Sequence, residues 1–317
     1  MYVGKLIGVR VFLAETWKIN LSVLVTVTIA TVVYLEILQP HLRISLAVVT
    51  VLGTAISFFI GFINAQAYDR WWEARKIWGS FVNDSRSFAR MVRTLFDKSN
   101  DADQVATLQD RLIRRHIAYL YAVKEHLRKE NSQEYLGHLS ERDAGRIATL
   151  AHKGNALLEL QGEDIDAAER SGYIDVIRMA QLNNMLTDFS TSMGMAERIK
   201  TTVFPVFYAS LVRLSIWVFL LTFPVALSQQ LGYWAILYAF LLGAIFRLTF
   251  LAGEILENPF EGRPADTPMS SIVRTIEINL LEQIGERNLP PPWNQWRAGT
   301  SCNLILIGTL RSMPLTR

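Results

Sequence analysis

An uncharged stretch from Ile44 to Ile63 runs, with no proline and no turn signal, into Asn64–Gly79, which reads NAQAYDRWWEARKIWG. A membrane span that passes without a loop into a charged, tryptophan-rich helix leaves few folds open. The chain must be a helical membrane protein whose spans continue into a water-exposed bundle, so that one path leads through both parts.

The rest of the 317 residues agree with this reading. Half are hydrophobic, and the long apolar runs cluster in two blocks, one towards each end. Four candidate spans emerge: about Ile19–Leu38, Ile44–Ile63, about Val203–Leu227 and about Leu231–Ala252. Each approaches the ~20 residues a helix needs to cross a bilayer core. In lipid the backbone must satisfy its own hydrogen bonds, so β-branched residues such as Thr26, Val27, Thr28 and Ile29 do not argue against a helix. Turns are expected at Pro40–His41 and Ser228–Gly232, where Arg43 is the only nearby basic residue. Arg70, Arg75 and Lys76 follow the second span, and Arg198 and Lys200 precede the third. The positive-inside rule therefore puts both termini and the middle segment in the cytoplasm. No cleavable signal is evident in Met1–Lys18.

The expected organisation is an N-terminal cytoplasmic segment (1–18), spans one and two (19–63), and a helical cytoplasmic domain (64–200). Spans three and four (201–252), a C-terminal cytoplasmic segment (253–288) and an extended or disordered tail (289–317) follow. Helical periodicity is clear over Gln104–Glu130 and weaker over Glu134–Leu160. Gly162–Asp166 reads as a loop. Ile174–Gly194 is a further helix with Asp175 or Ser171 as N-cap. NPFEGRPADTP, from Asn258, is a turn-rich linker, and Ser271–Ile284 is amphipathic again. Neither strand alternation of useful length nor an internal repeat is found.

Charge and motifs exclude several functions. The net charge is +3, and residues 64–200 hold 20 Lys and Arg against 20 Asp and Glu. That balance lacks the one-signed patch of a nucleic-acid binder. HExxH, GxSxG, the phosphate loop and CxxC are all absent, so no enzyme is expected. Cys302 is the only cysteine, which rules out an intrachain disulfide or a thiolate metal cluster. His41, His116, His126, His138 and His152 do not pair at metal-ligand spacing. Glu36, Arg213 and Arg247 lie within spans and must face protein or water; structural pairing is the simpler reading for Arg213.

The second span carries small residues, Gly53, Ala55, Ser57 and Gly61, that allow close helix approach. Thr54, Phe58 and Phe62 recur at i, i+4, i+8 on one face. That stripe is either buried between helices or the lining of a pore, where rings of Phe would form a constriction that gates by dewetting. Trp71, Trp72 and Trp78 form an interfacial belt, with Arg70, Glu73, Arg75 and Lys76 in local ion pairs.

SFFIGF, AYDRWWEARKIWG, ERIKTTVFPVFYASLVR and NPFEG together resemble the bestrophin family, in a bacterial form. The resemblance runs from the first span to about Ile284. It implies an all-α membrane protein with four spans per subunit and a helical cytoplasmic domain, assembled in a bacterial inner membrane as a homopentameric channel for inorganic ions. It assigns the pore neck to Thr54, Phe58 and Phe62, and a cytoplasmic constriction to Ile177 on an ungapped alignment of NNMLTDFSTSMG. The family usually has apolar side chains at all three neck positions, so Thr54 is a departure. Arg70, Trp71, Trp72 and Glu73 would couple the span to the cytoplasmic bundle. Animal relatives bind calcium through acids just after their NPFG. Here only Glu261 and Asp266 remain, with Arg263 and Pro264 between them, so no calcium site and no other cofactor is expected. Aromatic rings with positive edges towards the axis favour anions, chloride first. A monovalent-cation channel of the same fold is the alternative. A membrane-anchored signalling or scaffold protein and a secondary transporter stand further off.

Overall fold

The computed structural model describes residues 9–39, 41–97, 101–202, 206–263 and 265–293. Pro40, Pro205, Cys302 and all of the expected tail beyond Trp293 lie outside them. Among the described residues every regular element is a helix: α1 (Val9–Val33), α2 (Leu46–Thr94), α3 (Ala102–Arg128), α4 (Glu141–Ile147), α5 (Lys153–Arg170), α6 (Val176–Thr201), α7 (Val206–Leu231), α8 (Ala235–Leu256) and α9 (Met269–Gln283). A π-helical turn, Tyr34–Leu38, extends α1. The described residues divide into two units, one within 9–71 and 206–259, the other within 72–202 and 260–293. The 49-residue α2 contributes to both without a break. At 1.5 Å per residue it is about 73 Å long, which accounts for the loopless junction in the sequence.

Among the described residues three helical stretches are long and apolar enough to cross a membrane by length and composition: Thr16–Leu38, Leu46–Thr94 and Phe207–Leu256. The third is divided into α7 and α8 by a 3-10 turn at Gly232–Trp234. The break therefore comes later than Ser228, because Gly232 supplies the left-handed backbone (φ 55°) that other residues resist. Val23 and Val27 of α1, Ile56 and Ile60 of α2, Ile216 and Phe219 of α7 and Phe250 of α8 share one core. Small residues set the spacing. A Cβ on Gly53 would come within 2.9 Å of the Phe219 ring, and one on Gly243 would overlap the Leu220 side chain.

The second unit is built round α3, which packs against α5, α6 and α9. Asp101 caps its start, accepting from the Gln104 amide at 3.1 Å. From Arg115 to Glu125 every residue of α3 is buried, so the amphipathic pattern of Gln104–Glu130 under-represents how central this helix is. Arg115 is held by Asp143 at 2.7 Å, Asp164 at 2.8 Å and the Leu160 carbonyl at 2.6 Å. The expected loop at Gly162–Asp166 is instead the middle of α5. Leu157, Leu158, Ile165 and Ala168 continue a buried face through it, and Asp164 is fixed by Arg111 and Arg115. Burial outweighs the ~1 kcal/mol that a mid-helix glycine costs. Asp175, not Ser171, caps α6, accepting from the Arg178 amide at 2.8 Å; Ser171 ends α5.

Candidate ion pathway

The residues expected to form the neck lie on the exposed side of α2. The buried seam of that helix follows Val49, Gly53, Ile56, Ile60, Ile63 and Ala67, spaced four and three apart, as one helix face requires. Thr54, Phe58 and Phe62 fall outside it. Phe58 is 72% and Phe62 47% exposed in the single subunit. Val51, seven residues before Phe58, is 70% exposed on the same side and extends the stripe. Its heptad spacing from Phe58 was the signal available in the sequence. This side mixes Phe with exposed Thr50, Thr54, Ser57 and Gly61. The hydroxyls of Thr54 and Ser57 donate to the carbonyls of Thr50 and Gly53, at 3.0 and 2.9 Å. Tyr208 of α7 steadies the rings, meeting Phe59 and Phe62 edge-on with centroids 6.0 and 6.2 Å away.

Ile177 stands in the first turn of α6, 73% exposed beside Val176 at 60%. Its position is fixed by the Asp175 cap and by Arg178, whose guanidinium donates to the Leu95 carbonyl at 2.8 Å. Gln181, Asn184, Asp188 and Thr191 follow on the same face, all exposed, at i+4, i+7, i+11 and i+14. That face is polar, with Asp188 as its single charge.

At the coupling motif, Arg70 donates to the Glu257 carbonyl at 3.1 Å. Trp71 packs on Tyr68, with ring centroids 5.9 Å apart. Glu73 pairs with Lys76 at 2.6 Å, and Trp72 is half-exposed. The charges within the spans find partners. Arg213 of α7 bonds Glu254 of α8, and both Arg213 and Arg247 lie 5.9 Å from the Phe250 ring. The Tyr233 hydroxyl donates to Glu36. Glu254 was not singled out in the sequence because it sits past the apolar run.

Two histidine sites take structural roles. His116 is fully buried among Phe88, Tyr119 and Phe189. Its Nε2–H donates to Ser85 Oγ at 2.9 Å, since the Ser85 proton already goes to the Phe81 carbonyl. Burial pushes this imidazole down to about 3, so it stays neutral. His126, His152 and Glu197 meet from three segments, with candidate ligand atoms within 4.8 Å of one another. Their separation in sequence hid this. His152 Nδ1 accepts from the Asn155 amide at 3.0 Å, capping α5, so its Nε2–H points at Glu197, 2.6 Å away. That tautomer gives a structural link rather than an open metal ligand. In the linker after α8, Glu261 pairs with Lys200 at 2.7 Å, and Asp266 accepts from the Arg263 amide at 3.0 Å. Burial raises the Asp266 carboxyl above its usual range.

Residues 12–282 match the family described as Bacterial/Fungal Bestrophin protein. The voltage-dependent anion channel-forming protein YneE of Escherichia coli K12 is 32% identical over 250 residues, 78% of this chain and 80% of that protein. A protein of the same description from Mesorhizobium japonicum is 30% identical over 234 residues, 74% of each chain. A crystal structure of a bacterial bestrophin homologue from Klebsiella pneumoniae superposes with a TM-score of 0.79 at 26% identity, covering 85% of this chain and 98% of that one.

Proposed function

The chain belongs to the bacterial and fungal bestrophin family, and on that premise we propose that it forms a homopentameric anion channel with one central pore. Bestrophins are channels and not enzymes, and no covalent step is needed here. The observation that carries the reading is the exposed stripe of Val51, Thr54, Phe58 and Phe62, opposite the buried seam of α2. Five copies around an axis would stack the aromatic residues into a dry constriction. Ions pass when it wets and stop when it dewets. Rings lying tangentially turn their positive edges to the axis and favour anions, chloride among them. Ile177, as the most exposed apolar side chain of α6, forms the cytoplasmic size filter.

Four spans, α1, the first part of α2, α7 and α8, hold each subunit in the bacterial inner membrane with both termini cytoplasmic. Arg70, Trp71, Trp72 and Glu73 transmit motion between span and bundle. Calcium plays no part: it favours six to eight oxygen ligands, and both acids of the linker are already engaged, Glu261 by Lys200 and Asp266 by its own turn. Micromolar calcium should leave channel opening unchanged in planar bilayers; strong activation would overturn this part of the reading.

Phe58→Ala tests the neck. The widened constriction should raise single-channel conductance several-fold, whereas unchanged currents would remove Phe58 from the pathway. One observation favours cations instead, the lone acid Asp188 on the α6 face that carries Ile177. If five such carboxylates governed permeation, Asp188→Asn would shift the reversal potential strongly towards chloride. The anion reading expects only a small shift.

A further inference from the structure

We propose that the second unit binds a phosphate-bearing anion in the groove between the last turns of α2 and the end of α9. This open groove, of about 610 Å³, is lined by Arg86, Ser87, Arg90, Arg93, Thr94 and Gln283. Its volume is in the range of small-ligand sites, and no carboxylate lines it.

The three arginines follow i, i+4, i+7 and so share one face of α2. Like charges at that spacing repel and weaken the helix unless something neutralises them. Several other arginines of the unit meet carboxylates: Arg111 with Asp164 at 2.8 Å, Arg114 with Glu286 at 2.8 Å and Arg146 with Glu163 at 2.7 Å. The Arg90 and Arg93 guanidinium groups make no hydrogen bond or ion pair to any described residue. Arg86 is fixed in place, its Nε and Nη2 both donating to Asn279 Oδ1, at 3.2 and 2.8 Å. Three of its five N–H donors remain for a ligand. The Gln283 amide has a buried oxygen without a partner, and a flip of that amide would place its donors there instead.

Two unpaired guanidinium forks beside a third held rigid match the oxygens of a di- or polyphosphate. A single chloride would leave most of these donors unused. The chain's own tail is a poor occupant, because residues 294–317 carry Arg297, Arg311 and Arg317 and no acid. The phosphate has two possible sources, a soluble polyphosphate or nucleotide, or the headgroup of an anionic lipid.

The test uses full-length protein and reads binding, not current, so it stands apart from the channel proposal. Sodium tripolyphosphate is titrated calorimetrically into protein in detergent, in phosphatidylcholine nanodiscs, and in nanodiscs that also contain phosphatidic acid. Saturable binding is expected, weakened about tenfold or more in Arg90→Gln/Arg93→Gln. Both positions are exposed, and an unchanged circular dichroism spectrum would verify the fold of the variant. Equal binding in both nanodiscs identifies a soluble ligand. Loss of binding where phosphatidic acid is present identifies the lipid. Absence of saturable binding in all three preparations, or undiminished binding by the double variant, overturns the proposal.

Discussion

Burial decides what single side chains do in the second unit. Arg115 is 4% exposed and bridges Asp143 and Asp164, whereas Arg146 is 42% exposed in its bond to Glu163. Stranding the buried Asp143 carboxylate costs about 3–5 kcal/mol, since only Asp164 keeps a second partner in Arg111, while an exposed pair contributes little. Arg115→Ala should therefore lower the melting temperature of the purified protein sharply, and Arg146→Ala should barely move it. His116 gives a pH dependence of known sign. Its folded pKa, about 3, is below the ~6.5 of an unfolded imidazole, so the unfolded chain binds the extra proton. Stability is complete above about pH 6.5 and falls as the pH drops towards 3, by about 3 kcal/mol between pH 6.5 and 4. Urea unfolding at those two pH values should show this loss, reduced in His116→Phe. None of it was legible in the sequence: His116 is one of five scattered histidines, and only the fold surrounds it with Phe88 and Phe189.

The α2 helix was legible because its signal is local. Twenty uncharged residues followed without a break by NAQAYDRWWEARKIWG specify one long helix, and the i, i+4, i+8 spacing placed Thr54, Phe58 and Phe62 together on it. Elements held by long-range burial were not. Gly162–Asp166, with a glycine and three acids, has a loop composition, yet Ile165 is fully buried and Asp164 answers two arginines on α3. Likewise the small residues of the second span gave no hint of which helix comes close; the structure brings the Phe219 ring of α7 against Gly53. Gly53→Leu should strain that approach by about 1–3 kcal/mol, seen as a lower melting temperature in detergent. Gly61→Leu, where nothing lies within 4 Å, should melt like the unaltered protein. If the two variants melt alike, α7 does not pack there.

At the scale of the whole molecule, the exposed apolar surface requires partners. Along α2 and α6, Val51, Phe58, Phe62 and Ile177 are 47–73% exposed in one subunit, as the proposed pore lining requires. Five-fold assembly is an expectation that comes from the family motifs alone, because one chain's periodicity carries no symmetry. Native mass spectrometry should return the mass of five 36.0 kDa chains. Ile177→Ala should raise the permeability of large anions relative to chloride more than it raises chloride current itself. In the proposed pore, selectivity would depend on how the Phe rings and Asp188 share the axis, and so on geometry that no single chain encodes locally. The most direct measurement is the reversal potential of the purified protein in a planar bilayer under a potassium chloride gradient. A potential near the chloride equilibrium value is expected, and one near the potassium value would contradict the anion channel.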